Sequence, residues 1–121
     1  MKQKTLTVLA TIVVAVSCSR CGDNCEERAS KTRNMVDAAI AANKSCRVDA
    51  DCVLINLSTD CYGACSGSVA ATGAEEVRDA FSEANRSYCS GYVDDGCPFI
   101  TPECLPVAVV CKEGTCDIEV L

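Results

Sequence analysis

The chain has 121 residues, of which 11 are Lys or Arg and 17 are Asp or Glu, so its net charge at pH 7 is −6. An acidic surface repels nucleic acid, and we expect no nucleic-acid partner. The sequence has no histidine, which excludes a Ser-His-Asp or Cys-His catalytic system and removes the commonest general base.

Residues 1–17 have the layout of an export signal. Two lysines in the first four residues precede an apolar run from Leu6 to Val16, and the small residue Ser17 follows. A transmembrane helix needs about 20 apolar residues, so this run is too short to span a bilayer. Removal of residues 1–17 leaves 104 residues with a net charge of −8, the length of one domain.

Two processing outcomes follow from the residues around Cys18. Ordinary cleavage after Ser17 would release a soluble protein. The sequence Ala-Val-Ser-Cys at 15–18 resembles a bacterial lipobox, in which the cysteine thiol is acylated, and we favour Cys18 as a lipid attachment site. The bilayer is then a partner of the protein, because two or three acyl chains anchor a small domain stably. Residues 18–24 would form a tether, and residues 25–121 the folded domain.

The twelve cysteines predict a disulfide scaffold, because they exceed the roughly 8–10% that marks this class. An exported protein meets an oxidising compartment, where disulfides persist. If Cys18 is acylated, eleven cysteines remain and one is left over, which we assign to Cys21 in the tether. If Cys18 is free, twelve cysteines form six bridges. The disulfide candidates are Cys25, Cys46, Cys52, Cys61, Cys65, Cys89, Cys97, Cys104, Cys111 and Cys116. Their connectivity cannot be read from the sequence.

The first predicted helix runs from Asp23 to about Asn43, because small or apolar residues recur at spacings of three and four. These residues are Cys25, Ala29, Thr32, Val36, Ala39 and Ile40. The best strand is Val53 to Leu57, and its nearly continuous apolar character predicts burial.

The second half of the chain predicts a further helix and a hairpin. A turn-rich loop at 58–68 leads through a brief strand at 69–71 to a helix from about Ala74 to Tyr88. Residues 89–102 are irregular, and Val107 to Val120 form a hairpin that turns near Gly114. The order predicts an α+β domain, disulfide-rich, with two helices on one face of a short antiparallel sheet. That sheet would contain the C-terminal hairpin and the strand Val53–Leu57.

Candidate chemical sites find little support. The acid pairs Asp49 with Asp51 and Asp94 with Asp95 are typical of solvated loops, and no calcium-loop pattern surrounds them. Cys18 and Cys21 formally make a C-x-x-C motif, but an export signal precedes it in place of a strand. Zinc binding by four cysteines is disfavoured in an oxidising compartment. We therefore expect no catalytic residue, no metal site and no cofactor.

Two cysteine spacings carry a family resemblance. Cys46 and Cys52 are separated by five residues, with Asp51 before the second cysteine and an apolar strand after it. Cys111 and Cys116 are separated by four residues near the C-terminus. The chain thereby resembles the small cysteine-rich lipoproteins of myxobacteria and related soil bacteria. The resemblance implies an envelope-anchored or secreted protein with no established activity.

Three functions follow as expectations. The first is a non-enzymatic envelope lipoprotein that presents its domain to an unknown protein or glycan partner, through the loops 58–68 and 89–102. The second is a secreted inhibitor or toxin-like module that uses the Cys61–Cys65 or Cys89–Cys97 segment. The third is a thiol redox or metal protein, which predicts free thiols or bound metal.

Overall fold

The computed structural model describes residues 23–121, so the predicted export signal, Cys18 and Cys21 lie outside the described residues. The chain forms, in order, α1 (Asp23–Ala41), β1 (Cys52–Asn56), β2 (Ser66–Ala70), α2 (Ala74–Ala84), β3 (Val107–Lys112) and β4 (Thr115–Val120). Short 3-10 turns at Asp49–Asp51 and Ala71–Gly73 precede β1 and α2, and a π-helical turn at Asn85–Cys89 follows α2. The predicted small disulfide-rich α+β domain is confirmed.

Helix α1 buries the face that its spacing predicts. Val36 is 2% exposed and Thr32 is fully buried, while the remaining members of that face pack against core residues. The helix begins at Asp23, as predicted, and so includes the last two residues of the predicted tether 18–24.

The strands pair differently from the single sheet predicted. β1 pairs antiparallel with β2, and β3 pairs antiparallel with β4, which gives two separate two-stranded sheets. The sequence of β2 is SGSVA, which is typical of a loop. Gly67 allows β2 to pass close to Leu57, since a Cβ at position 67 would lie 2.8 Å from Leu57 Cδ1. β1 is also less buried than predicted, because Leu54 is 45% exposed.

The C-terminal hairpin forms as predicted, with a two-residue turn at Glu113 and Gly114. Both turn residues have positive φ angles, 50° and 79°, as a type I′ hairpin turn requires. The backbone hydrogen bonds between the hairpin and the rest of the domain are made with residues 44–46 and not with β1. Cys116 N–H donates to Lys44 O at 2.7 Å, and Cys46 N–H donates to Gly114 O at 3.0 Å.

Ten cysteines of the described residues form five disulfides. The pairs are Cys25–Cys97, Cys46–Cys111, Cys52–Cys116, Cys61–Cys89 and Cys65–Cys104. Their sequence separations range from 28 to 72 residues, so each bridge joins distant parts of the chain. Within residues 23–121, no helix has the length and apolar character needed to cross a membrane.

The buried side chains form three clusters, two of which contain disulfide-bonded cysteines. The first lies between the helices and the β1–β2 sheet and consists of Val36, Ile55, Val69, Ala74, Val77, Phe81 and Ala84. The second surrounds Cys61, Cys89 and Cys97 with Tyr92, and the third surrounds Cys52 and Cys116 with Ala70. Bridges thus occupy core positions that larger apolar side chains fill in most domains of this size.

Candidate functional site

The most exposed part of the domain is the stretch from Pro98 to Pro106, which we call the exposed segment. All nine residues are exposed, and none lies in a helix or strand. Three of them are large and apolar: Phe99 is 44% exposed, Ile100 72% and Leu105 68%. Several large apolar side chains on one short segment are more than the scattered exposure normal for a surface, and such patches mark interaction sites.

Disulfides and backbone hydrogen bonds position the exposed segment. Cys97 precedes it and is bonded to Cys25 in α1, while Cys104 lies within it and is bonded to Cys65. Gly63 N–H donates to Ile100 O at 2.8 Å. This close approach requires glycine, because a Cβ at position 63 would lie 2.8 Å from the same oxygen. The segment is therefore held at both ends and near its middle while its side chains remain exposed.

A groove of about 490 Å³ lies between α1 and the exposed segment. It is lined mainly by apolar and aromatic residues: Ala29, Tyr62, Tyr92, Pro98 and Ile100, with Glu26 and Arg33 as its charged residues.

Two tyrosines give the groove its fixed shape. Tyr92 is 4% exposed, and its hydroxyl donates to Cys25 O at 3.3 Å. The Arg33 guanidinium lies 4.7 Å from the centre of the Tyr62 ring, a cation–π contact. Burial raises the pKa of the Tyr62 hydroxyl, so this side chain stays neutral at physiological pH. The two neutral tyrosines and the apolar residues of the lining suit an apolar side chain.

Arg28 fixes the segment 89–97 against α1. Its Nε donates to Tyr88 O at 2.7 Å, and its Nη2 donates to Ser90 O at 2.7 Å. Its Nη1 pairs with Asp95 Oδ2 at 3.0 Å, and the guanidinium lies 5.2 Å from the centre of the Tyr92 ring. One side chain with a planar set of donors thus holds two points of the segment and the preceding residue, Tyr88.

The two predicted recognition loops, 58–68 and 89–102, come together in the structure. Cys61–Cys89 joins them, and the Gly63–Ile100 hydrogen bond adds a second link. Sequence reasoning missed that α1 forms one side of the resulting groove. The signal would have been the pairing of Cys25 with Cys97, which the sequence does not reveal.

Neither segment predicted to act in an inhibitor, Cys61–Cys65 or Cys89–Cys97, forms a protruding loop closed by its own disulfide. Residues 89–97 coil through successive turns, in which Asp95 N–H donates to Gly91 O and Gly96 N–H donates to Val93 O. The two cysteines of each named segment are not bonded to each other: Cys61 bonds to Cys89, and Cys65 bonds to Cys104. The exposed stretch without helix, strand or turn lies instead at residues 98–106, immediately after the second segment.

The acid pair Asp49 and Asp51, considered for metal binding, accepts hydrogen bonds from protein groups. Asp49 Oδ1 accepts a hydrogen bond from Cys111 N–H at 2.7 Å, and Asp51 Oδ2 accepts bonds from the N–H groups of Arg47 and Val48. Backbone donors of this kind stabilise the charged form and lower the pKa of Asp51. Within residues 23–121, no three carboxylates gather as metal ligands would.

Three sulfur atoms do lie close together. The Sγ atoms of Cys46, Cys52 and Cys116 all lie within 4.8 Å of one another. Each belongs to a disulfide, so none of them is a thiolate, the form that binds metal.

Comparison with known proteins identifies no relative of this chain. No family model, curated protein or solved structure matches the chain. The resemblance to the cysteine-rich bacterial lipoproteins therefore remains a prediction.

Proposed function

We propose that this protein is an exported, non-enzymatic binding domain, tethered to a membrane of the cell envelope through Cys18. The observation that carries the proposal is the exposed segment held by Cys25–Cys97 and Cys65–Cys104. A domain stapled by five disulfides is suited to an oxidising compartment, which agrees with the predicted export signal.

The tether has a direct test in a matched pair of cysteine variants. The full chain is expressed with its signal, and the mature protein is weighed intact and fractionated. Cys18→Ser should lose the added acyl mass and leave the membrane fraction, whereas Cys21→Ser should keep both. The tether would be contradicted if the wild type and both variants were soluble and had the unmodified mass of a chain that begins at residue 18. The protein would then be a secreted domain.

The exposed segment favours a protein over a glycan as the partner. Phe99, Ile100 and Leu105 offer apolar area and no side-chain hydrogen bonds, whereas sugar hydroxyls require hydrogen-bonding groups. The groove beside them has a mainly apolar lining, with one acidic and one basic side chain, Glu26 and Arg33. A partner that presents an apolar side chain matches both features.

Site-specific cross-linking tests the binding surface. A photoreactive phenylalanine analogue is placed at Ile100 or, as a control, at Val120, which is 58% exposed at the end of β4. We expect a discrete cross-linked protein from position 100 in the native envelope, and its loss when Phe99→Ser is added. Equal yields from positions 100 and 120, or no product from either, would contradict binding at the exposed segment.

A secreted protease inhibitor is the second candidate, and the same segment favours it. Rigid inhibitors present an extended segment to the protease, and here the backbone is anchored on both sides of Phe99 and Ile100. This function predicts inhibition of proteases that accept an aromatic or aliphatic residue. Phe99→Gly should abolish that inhibition, whereas Leu105→Gly should preserve most of it. Absence of inhibition across a broad panel of proteases would remove this candidate.

A further inference from the structure

Two disulfides at the turn end of the C-terminal hairpin lie against each other. The sulfur atoms of Cys46, Cys52 and Cys116 are mutually within 4.8 Å, although Cys46 is bonded to Cys111 and Cys52 to Cys116. The bridge Cys46–Cys111 is partly exposed, whereas Cys52 and Cys116 are 5% and 0% exposed. An outer bridge therefore lies beside an inner one, with the Cys46 sulfur within 4.8 Å of both sulfur atoms of the inner bridge.

The same four cysteines also suit a second pairing. Cys111 and Cys116 are direct partners across the hairpin. Their N–H groups both point away from each other, because Cys111 donates to Asp49 Oδ1 and Cys116 donates to Lys44 O. This is the non-hydrogen-bonded kind of strand pair, whose Cα atoms lie about 4.5 Å apart. Disulfides form at Cα separations of about 4.4–6.8 Å, so a Cys111–Cys116 bridge fits the hairpin as it stands.

A small molecule can reach the outer bridge. A depression of about 490 Å³ opens beside Cys46 and is lined by Arg47, Asp51 and Thr72 among others. Arg47 and Asp51 give this lining one positive and one negative charge, so the depression has no net charge that would repel a small thiolate, which is the attacking form of a thiol.

We propose that these two bridges form a thiol–disulfide exchange site, whose co-reactant is a small aliphatic thiol. The thiolate attacks Cys46 Sγ, forms a mixed disulfide there and breaks the bond to Cys111, which leaves as a thiolate. Cys111 then attacks Cys116 across the hairpin and displaces Cys52 as a thiolate. Cys52 attacks the mixed disulfide at Cys46 and releases the small thiolate.

The reaction is an isomerisation without net oxidation or reduction. Two bonds, Cys46–Cys111 and Cys52–Cys116, are replaced by Cys46–Cys52 and Cys111–Cys116, and the small thiol is regenerated. The original bridges connect the hairpin to Cys46, before β1, and to Cys52, the first residue of β1, whereas neither new bridge connects the hairpin to the rest of the domain. The exchange therefore releases the hairpin from its two covalent links to the remainder of the domain.

Single-cysteine variants isolate the internal steps. Cys46→Ser leaves Cys111 as a thiol opposite Cys116, and Cys111→Ser leaves Cys46 as a thiol beside the inner bridge. The control, Cys104→Ser, leaves Cys65 as a thiol. Within residues 23–121, the three cysteines whose sulfur atoms cluster are Cys46, Cys52 and Cys116, so the Cys65 thiol has no such neighbouring bridge to attack. Each full-chain variant is incubated at mildly alkaline pH, quenched with acid, and labelled on its free thiols before complete reduction. Trypsin then separates Cys46, Cys52 and Cys116, because Arg47 and Lys112 lie between them.

The expected result is migration of the thiol label in the two cluster variants alone. In Cys46→Ser the label should pass from Cys111 to Cys52, and in Cys111→Ser from Cys46 to Cys52 or Cys116. At least about a tenth of the label should move, which corresponds to a population ratio of about ten between the two pairings. In Cys104→Ser the label should stay on Cys65.

Two results would overturn the exchange site. One is a label that stays on Cys111 and on Cys46 in the two cluster variants, with circular dichroism showing that both remain folded. The other is equal migration in Cys104→Ser, which would show general scrambling of an opened chain. Because a variant could fail to fold, wild-type protein is also treated with a catalytic amount of cysteamine. Electron-transfer fragmentation should then detect Cys111–Cys116, and its absence after prolonged treatment would overturn the proposal as well.

Discussion

The hydroxyl of Ser68 is buried in β2, where the residue is 3% exposed, and among the described residues it has no hydrogen-bond partner. A buried polar group without a partner costs about 1–3 kcal/mol in desolvation. Ser68→Ala should therefore raise the free energy of unfolding by about 1 kcal/mol. Denaturant unfolding without reductant measures the change, with Ser66→Ala in the same strand as the control. A loss of stability in Ser68→Ala would show that this hydroxyl does have a partner.

Asp51 predicts a pH dependence that can be worked out in sign. The N–H groups of Arg47 and Val48 bond to its carboxylate and hold its pKa below the ordinary value of 3.8. A carboxyl with a lowered pKa in the folded state contributes stability above its unfolded pKa and loses it as the pH falls through the folded value. Asp51→Asn should thus lower the urea midpoint at neutral pH. The difference from wild type should shrink toward zero once the pH is well below 3.8, and an equal difference at both pH values would contradict this cause.

The contact between α1 and the segment 89–97 depends on the shape of one side chain. Arg28 donates to Tyr88 O, Ser90 O and Asp95 Oδ2, and its side chain is 19% exposed. Lysine keeps the charge but cannot supply this planar set of donors, and hydrogen bonds from charged groups are worth about 1.5–3 kcal/mol each. Arg28→Lys should therefore raise hydrogen-exchange rates at residues 92–97, equivalent to about 2 kcal/mol of local stability.

Arg33→Lys is the matched control for this prediction, because Arg33 lies on the same helix and contacts the Tyr62 ring. It should leave exchange at residues 92–97 unchanged. Equal effects of the two substitutions would mean that general loosening of α1, and not the Arg28 contacts, protects the segment.

The elements show which features the sequence predicts and which it conceals. The buried face of α1 follows from spacing: Thr32 and Val36 are buried as predicted. Strand β2 is predicted only in part, at residues 69–71, because Ser66 and Gly67 are typical of a loop and belong to the strand only through pairing with β1. Local pattern records the preference of a segment, whereas strand pairing depends on a partner that lies elsewhere in the chain.

The candidate site also has features that the sequence predicts and features that it does not. The loops 58–68 and 89–102 were predicted to carry recognition, and their union through Cys61–Cys89 places them on one surface. That union, and the position of α1 beside it, depend on disulfide connectivity, which composition and spacing do not encode. The exposure of Phe99 and Ile100 likewise follows from the bridges on either side of them and from the Gly63 contact.

For the whole molecule, the interior is divided into small clusters, so we expect the disulfides to supply much of the stability of the domain. One cluster is aliphatic and aromatic, whereas the other two have cysteines at their centres. Disulfides that close long loops restrict the unfolded chain most in the chain-entropy account. The five bridges, with separations of 28 to 72 residues, therefore compensate for the small apolar area that each cluster buries.

The inner bridge Cys52–Cys116 gives the sharpest test of this division, since it is buried and its cysteines are 64 residues apart. Removing both cysteines, as Cys52→Ala with Cys116→Ala, avoids a free thiol and should lower the free energy of unfolding by about 4 kcal/mol. The adjacent residue Val53 is only partly buried against the aliphatic cluster, so Val53→Ala should cost about 1 kcal/mol. Guanidinium unfolding without reductant compares the two proteins. If the double variant loses no more stability than Val53→Ala, the aliphatic cluster between the helices and the β1–β2 sheet, and not the inner bridge, dominates the stability of the domain.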